Sequence, residues 1–422
     1  MTAKSGSQVF VVGAGLAGLS AAVELARQNV KVTLIEGAMQ AGGRCRSYVD
    51  PVLDMTIDNG NHFVLSGNAA TFAYLKVIGA EDRLIGLDAE GPSFYDLNTD
   101  ETWTLRPNSG ALAWWVLAKN RRVRGTRAAD YLSLAALIFP PKGKRIDQVM
   151  ACQGPLWERL LGPFLLGALN TDPKAASADL AAAVIRKTFA RGGKYYRPRI
   201  AHPTLAAAFV EPALAYLALR GARVSFGRRV KALAFTDNLA VNLTFGEARQ
   251  DIPTGAAVIL AAPPWAAQEI LPDLKAPDRH SAIVNAHFRI QPPSQAAPML
   301  GVIGGTAEWV FAFQDRLSVT ISGADAIVDE DREVLARRIW ADVAKVYRLP
   351  ADLPPWQIVK ERRATFTATP EQNARRPPAR TVWRNLFLAG DWTDTGLPGT
   401  IEGAIQSGVL AAQLALKSFG KV

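Results

Sequence analysis

Val9–Glu36 reads VFVVGAGLAGLSAAVELARQNVKVTLIE, and few folds accommodate such a run. An apolar strand enters Gly13, Gly15 and Gly18 in G-x-G-x-x-G spacing. A helix follows from near Leu16, then a second apolar strand, Lys31–Ile35, ending at the acid Glu36. Each glycine has a physical reason. Gly13 permits the tight turn, Gly15 lets backbone N–H groups approach a pyrophosphate, and Gly18 lets the helix pack against the strand. The positive end of the helix faces the phosphates. An acid about 20 residues after the turn accepts hydrogen bonds from ribose hydroxyls. The pattern predicts a Rossmann-type α/β unit that binds a dinucleotide. A glycine turn that only packs would share the letters, but not the strand, helix, strand and acid around them.

Gly42-Gly43-Arg44 comes next, with Arg46 close behind. This resembles the G-G-R continuation of the glutathione-reductase-like flavoproteins, the branch that holds amine oxidases and carotenoid desaturases. The resemblance implies FAD, with Arg44 helping to hold its pyrophosphate; a surface arginine in a turn is the plainer alternative.

At 422 residues with 49% hydrophobic content, the chain is long enough for two or three packed units. Two cysteines far apart and four scattered histidines give neither a disulfide framework nor a metal site. The net charge of +10 calls for an acidic partner. No nucleic-acid motif stands out, which leaves an anionic membrane surface. No uncharged run is long enough to span a bilayer, and the N-terminus lacks a secretory segment. A cytoplasmic protein, peripheral on the inner face of the membrane, is therefore expected.

The positive charge concentrates in 108–145. Trp114, Trp115, Val116 and Leu117 precede Lys119, Arg121, Arg122, Arg124 and Arg127. A second apolar run, Leu132–Phe139, precedes Lys142, Lys144 and Arg145. Apolar runs between basic clusters fit helices lying in a membrane interface; two ordinary core helices joined by a basic loop fit as well. Elsewhere, turn residues are expected at Glu90-Gly91-Pro92 and helices over 69–78, 204–220 and 329–349. Strands over 223–226, 229–235, 240–245 and 257–262 would rebuild the cofactor unit, with Val230 meeting the adenine or serving only as edge strand.

Near the C-terminus, NLFLAGDWTDTGLPGTIEGAIQSGVLAAQLAL reads as a buried strand, Gly390-Asp391, a loop and a long helix. Asp391 at the strand end can hold a ribityl hydroxyl, or merely cap. The helix N-terminus at Gly399, Thr400 and Ile401 can direct its dipole at a flavin edge. Both chain ends then build one site. The cofactor unit is expected from 1–68, 204–285 and 381–422, and a mixed-sheet substrate unit from 69–107, 146–203 and 286–380. The single copy of G-x-G-x-x-G points to an external electron donor, or to a nicotinamide bound without this motif.

The glycine motif, Gly42-Gly43-Arg44 and Gly390-Asp391 together resemble the amine oxidase/phytoene desaturase superfamily. Asp58-Asn59-Gly60-Asn61-His62 is similar to the D-N-G-Q-H turn of the squalene-associated FAD-dependent desaturases, or hydroxysqualene dehydroxylases, with Asn61 in place of glutamine. Leu156-Trp157, Ala168–Thr171, Ala176-Ser177, Arg363–Phe366 and Thr369-Pro370 extend the likeness over most of the chain. It implies reductive removal of the allylic hydroxyl of hydroxysqualene, a lipophilic isoprenoid, to give squalene for hopanoid synthesis. Departure of hydroxide needs a general acid. If the Asp58–His62 turn approaches the flavin, His62 is the first candidate, with Asp58 orienting it or capping the turn. Asn170 would bind the hydroxyl or terminate a helix. Tyr195, Tyr196 and Glu402 are weaker candidates, and Gly60 is a cofactor contact. Leucines and aromatics of the middle region would line an apolar tunnel. A related desaturase or amine oxidase, and an isoprenoid escort protein without redox chemistry such as the Rab GDP-dissociation inhibitors, are the alternatives.

Overall fold

The computed structural model describes residues 7–86, 91–110 and 112–420. The first residues of the N-terminus and Glu90 of the expected turn lie outside these.

Five segments distant in sequence meet in one fully parallel sheet. Its order is Arg223–Ser225, Lys31–Ile35, Gln8–Val12, Ala257–Leu260 and Leu386–Leu388. The central strands carry almost continuous apolar runs because both faces are covered. The helix Leu16–Arg27 packs against the C-terminal helix Ile401–Ser418. Their contact is close because Gly408 has no side chain: a Cβ there would lie 2.0 Å from the Ala17 carbonyl oxygen. The helix Ala69–Ile78 also shares this core, through Tyr74, Leu75 and Ile78.

A seven-stranded mixed sheet forms the second layer. Its order is Trp356–Phe366, His280–Phe288, Leu317–Ile321, Trp309–Ala312, Met299–Ile303, Ser93–Asp96 and Glu101–Thr104. Only the contact between Met299–Ile303 and Ser93–Asp96 is parallel. The strand His280–Phe288 begins five residues before the seam expected at 285. One face packs on the helix Arg332–Tyr347 through Leu335, Ile339 and Trp340. The other faces the central cavity. A small antiparallel sheet of Ala232–Thr236, Leu239–Phe245 and Ala248–Asp251 stands beside the first. Its first strand starts after Val230 rather than including it, because Arg228–Lys231 bends to follow the Glu36 turn, with the Arg228 N–H donating to the Glu36 carbonyl.

The segment 112–139 departs from the expected helix pair. It forms two 3₁₀ stretches, Trp114–Leu117 and Ala128–Leu137, each half-buried. Trp115 belongs to the core, set edge-on to Tyr131 at 5.3 Å between ring centroids. Trp114, Leu117, Leu132 and Phe139 remain exposed. Among the described residues no helix is long and apolar enough to cross a membrane.

Candidate active site

A cavity of about 740 Å³ runs from the glycine turn, between the two sheets, to the middle of the chain. At one end Gly13 sits at φ +107°, and a Cβ there would meet the Ala261 carbonyl oxygen at 2.6 Å. A Cβ on Gly18 would lie 1.8 Å from the Gly13 oxygen. Gly15 differs: its missing Cβ would project into open space. Gly13 and Gly18 are thus demanded by the fold, whereas Gly15 leaves a cradle that a side chain would fill. Gly43 faces Gly15 across it.

Glu36 lines the cavity and accepts from two backbone N–H groups, Ala14 at 2.6 Å and Ala38 at 2.8 Å. Each carboxylate oxygen keeps a second lone pair for a ribose hydroxyl. The Arg44 guanidinium does more than the family resemblance implied. It donates to Asp391 Oδ1 at 2.7 Å and to the Ala364 carbonyl, so it ties the two chain ends together at the cavity wall. Arg376 holds the same loop from behind, donating to the carbonyls of Asp391 and Thr393. Gly390 adopts φ +151°, and a Cβ there would strike the Trp392 indole at 2.3 Å. Gly399, Thr400 and Ile401 also line the cavity. Thr400 caps the long helix by accepting from the Gly403 N–H at 3.1 Å, which leaves the helix's positive end directed inward. Val230 is buried and forms part of the wall beyond Glu36. The open cradle at Gly15, a ribose-facing acid and a helix N-terminus opposite are a donor set suited to a diphosphate-linked dinucleotide.

A match to the family described as flavin containing amine oxidoreductase covers residues 16–416. The chain belongs to that family. FAD is its cofactor, and it is an FAD-dependent oxidoreductase. The chain is 50% identical to a hydroxysqualene dehydroxylase of Rhodopseudomonas palustris, over 97% of this chain and 98% of that protein. It is 47% identical to a hydroxysqualene dehydroxylase of Zymomonas mobilis, over 97% and 99%. Among solved structures, a putative protoporphyrinogen oxidase from Exiguobacterium superposes with a TM-score of 0.67 over 97% of this chain and 99% of that one; at 16% identity this reports shared fold only.

At its other end the cavity becomes apolar, walled by Phe63, Leu65, Phe164, Val184, Trp309 and Phe311. Phe164 and Val184 come from the middle region, as expected of a tunnel. Trp309 and Phe311 do not: they project from one face of the second sheet. Gly167 lets the Trp309 indole lie close against its helix, since a Cβ there would be 3.0 Å from Trp309 Nε1.

The expected catalytic residues fare differently from one another. His62 lines the cavity. Burial, with the Arg44 charge nearby, pushes its imidazole down to about 4. At neutral pH the ring is uncharged, so it offers an N–H hydrogen bond but no imidazolium proton. Asp58 does not reach it. Its Oδ1 accepts from the Ser47 hydroxyl at 2.5 Å and the Leu205 N–H at 2.9 Å, fastening the turn to the start of a helix. Asn170 lies in the wall, but its side chain is occupied: Nδ2 donates to the Ser281 carbonyl and Thr365 Oγ1, and Oδ1 accepts from Gly323 N–H at 2.6 Å. With φ +48° it terminates the helix Gly162–Leu169. Glu402 caps another helix, accepting from Ala70 N–H and from the N–H and hydroxyl of Thr71. Tyr195 and Tyr196 stand outside the cavity wall, the Tyr196 ring tilted against Phe189 at 4.5 Å between centroids. Gly60 is required because a Cβ would lie 2.8 Å from Asn285 Nδ2.

Glu308 escaped the sequence reading. It directly precedes Trp309, and its Oε2 accepts from the Ser322 N–H at 2.8 Å. Ser322 forms part of the cavity wall. Burial raises the Glu308 carboxyl to about 7, so it holds a proton over much of the neutral range. Period-2 alternation places Trp309 with Phe311, and Thr320 with Ser322, on one face. That alternation is visible in the sequence; which face meets the cavity is not.

Proposed function

We propose that this FAD-dependent oxidoreductase removes the allylic hydroxyl of hydroxysqualene and replaces it with hydrogen, giving squalene for hopanoid synthesis. The observation that carries this reading is the near-50% identity, over whole chains, to proteins named for that reaction. The apolar arm ending beside the cofactor end suits a long hydrocarbon, and the complete FAD cradle weighs against an escort role. Reduced FAD, when bound, supplies the hydride. The chain supplies the rest. Gly15, Arg44, Asp391 and the helix start at Thr400 hold the cofactor, with Glu36 and Val230 at its nucleotide end. Phe164, Trp309 and Phe311 exclude water and align the isoprenoid. Glu308 gives the proton with which the hydroxyl leaves as water, passing it through the Ser322 hydroxyl that borders the cavity. His62, uncharged, orients by its N–H. Per turnover, the C–O bond breaks, one hydride forms the new C–H bond and one proton completes water.

The substrate dissolves in membrane, and the exposed apolar side chains Leu112, Trp114, Leu117, Leu132 and Phe139 lie among the exposed cations Lys119, Arg124, Arg127 and Lys142. We assign this patch to docking on the inner face of the cytoplasmic membrane. The lone dinucleotide motif leaves the electrons to an external donor. The test is anaerobic incubation of dithionite-reduced protein with hydroxysqualene. Squalene and reoxidised flavin in equal amounts are expected; no squalene from fully flavinated protein would refute the reading.

A further inference from the structure

Within the apolar arm one polar knot stands out. Asn285 and Thr320 face each other across the strands His280–Phe288 and Leu317–Ile321. Asn61, from the turn before His62, lies over them. All three line the cavity and all three are buried.

The hydrogen bonds fix which atom is which. Asn285 Oδ1 accepts from the Asn61 backbone N–H at 3.3 Å, and its Nδ2 donates to the Asn59 carbonyl at 3.5 Å. Asn285 therefore presents oxygen toward Thr320. The single hydroxyl proton of Thr320 goes to that oxygen at 2.7 Å. Thr320 Oγ1 then has only lone pairs to offer Asn61, so the Asn61 group that meets it at 3.3 Å is Nδ2. This leaves Asn61 Oδ1 facing away from the knot. It is buried, and it has no hydrogen-bond partner among the described residues. A buried amide oxygen without a donor is costly, and ordinary interiors avoid one.

We infer that Asn61 Oδ1 is the seat of the substrate's hydroxyl, which donates its proton to that oxygen and so fixes which allylic carbon of the long chain stops beside the cofactor. This rests on the hydroxysqualene reading and adds a consequence to it. The product has no hydroxyl. Once the C–O bond has broken, Asn61 Oδ1 is again without a donor, and the hydrocarbon that remains is held only by apolar contact. A site built to bond a hydroxyl rejects an analogue that lacks it far more strongly than a purely apolar pocket does. Asn61 thus makes the enzyme release squalene while retaining hydroxysqualene, two molecules that otherwise present the same hydrocarbon to the wall. Asn285 and Thr320 belong to the sheet that carries Trp309 and Phe311, with Thr320 directly opposite Trp309, and they hold Asn61 at the apolar arm rather than at the glycine turn, so its role is assigned to substrate.

The oxidised holoenzyme has no hydride to give, so binding can be read without turnover from the flavin absorbance. Three ligands in the same micelles decide the matter: hydroxysqualene, its O-methyl ether and squalene. Wild-type protein is expected to bind the alcohol at least about tenfold more tightly than the other two, because neither has an O–H to donate. Asn61→Leu should abolish that preference, mainly by weakening the alcohol, at unchanged flavin content. Asn61→Gln should restore part of it. Thr320→Val, which removes the acceptor that holds the Asn61 amide, should reduce it too. Equal binding of all three ligands by the wild type, or a full preference in flavinated Asn61→Leu, would overturn the seat and leave the dehydroxylase reading standing. A wild type that binds none of the three would overturn both. The comparison of ether with alcohol needs no variant, so the inference can fall even if Asn61→Leu does not fold, and Asn61→Gln and Thr320→Val then decide whether the preference resides at Asn61.

Discussion

In the cofactor arm, Gly13, Gly15 and Gly18 follow one another in a single turn and work through backbone alone. In the apolar arm, Phe63, Phe164, Trp309 and Phe311 come from separate segments and work through their side chains. The first arm is held by backbone: Gly13 and Gly18 answer close approaches, Gly13 also at a φ that few other residues adopt, and Gly15 leaves the cradle open. The second exists only after distant strands have paired. Local backbone geometry binds what the whole family binds, and long-range side-chain packing chooses the chemistry performed on it.

Gly18→Val strikes the first arm hardest. Even its Cβ would occupy the Gly13 carbonyl, which cannot move without losing the turn. Complete loss of flavin from whatever chain remains soluble is expected, read by absorbance against protein. The largest effect in the second arm should come from Glu308→Gln. A general acid contributes roughly 10²–10⁴-fold, so turnover should fall by about that much while flavin content stays. Burial raises this carboxyl from its ordinary value to about 7. The acid is therefore present below that pH and lost as pH rises through it. Wild-type turnover should decline on the alkaline side, and Glu308→Gln should lack that decline. His62→Gln should keep the wild-type pH profile, because its ring, lowered to about 4, is uncharged on both sides of neutrality.

Arg44→Met tests whether the arms are joined by charge. It removes the donor to Asp391 and Ala364. A hydrogen bond between charged groups contributes roughly 1.5–3 kcal/mol, so FAD should dissociate about 10- to 100-fold more readily, measured by equilibrium dialysis, with the alkaline limb of activity unchanged in flavin-saturated protein. The smallest effect is expected outside both arms. Leu117→Ser with Phe139→Ser removes two exposed apolar anchors and should lower co-sedimentation with anionic liposomes by several-fold, without touching flavin content or turnover in detergent. Trp115 would be the wrong residue to change for this purpose, since it is core.

The strand, turn, helix and acid of Val9–Glu36 were legible because contiguous residues meet their own backbone requirements there. The Gly390–Ile401 cradle was legible for the same reason, as a strand end feeding a capped helix. The catalytic side was less so. Asp58, Asn170 and Glu402 carry the right chemistry for a proton relay or hydroxyl site, yet their side chains are spent on Leu205, Gly323 and Thr71. No local signal separates a carboxylate that caps a helix from one that faces a ligand. The 112–139 segment is opaque for the same reason: two consecutive tryptophans look alike in the sequence, while packing buries one and exposes the other.

By itself the sequence determined that the chain makes a parallel α/β unit around a dinucleotide and that its two ends share one site. Those outcomes follow from φ angles, helix caps and apolar runs, which act between near neighbours. Tertiary structure alone decided that burial pushes His62 down to about 4, that it raises Glu308 to about 7, and that Asn61 keeps an oxygen without a partner among the described residues in the wall of an apolar arm. The first two depend on desolvation by segments that only the fold brings together, and the third on Asn285 and Thr320, more than two hundred residues away; no spacing in the chain encodes any of them.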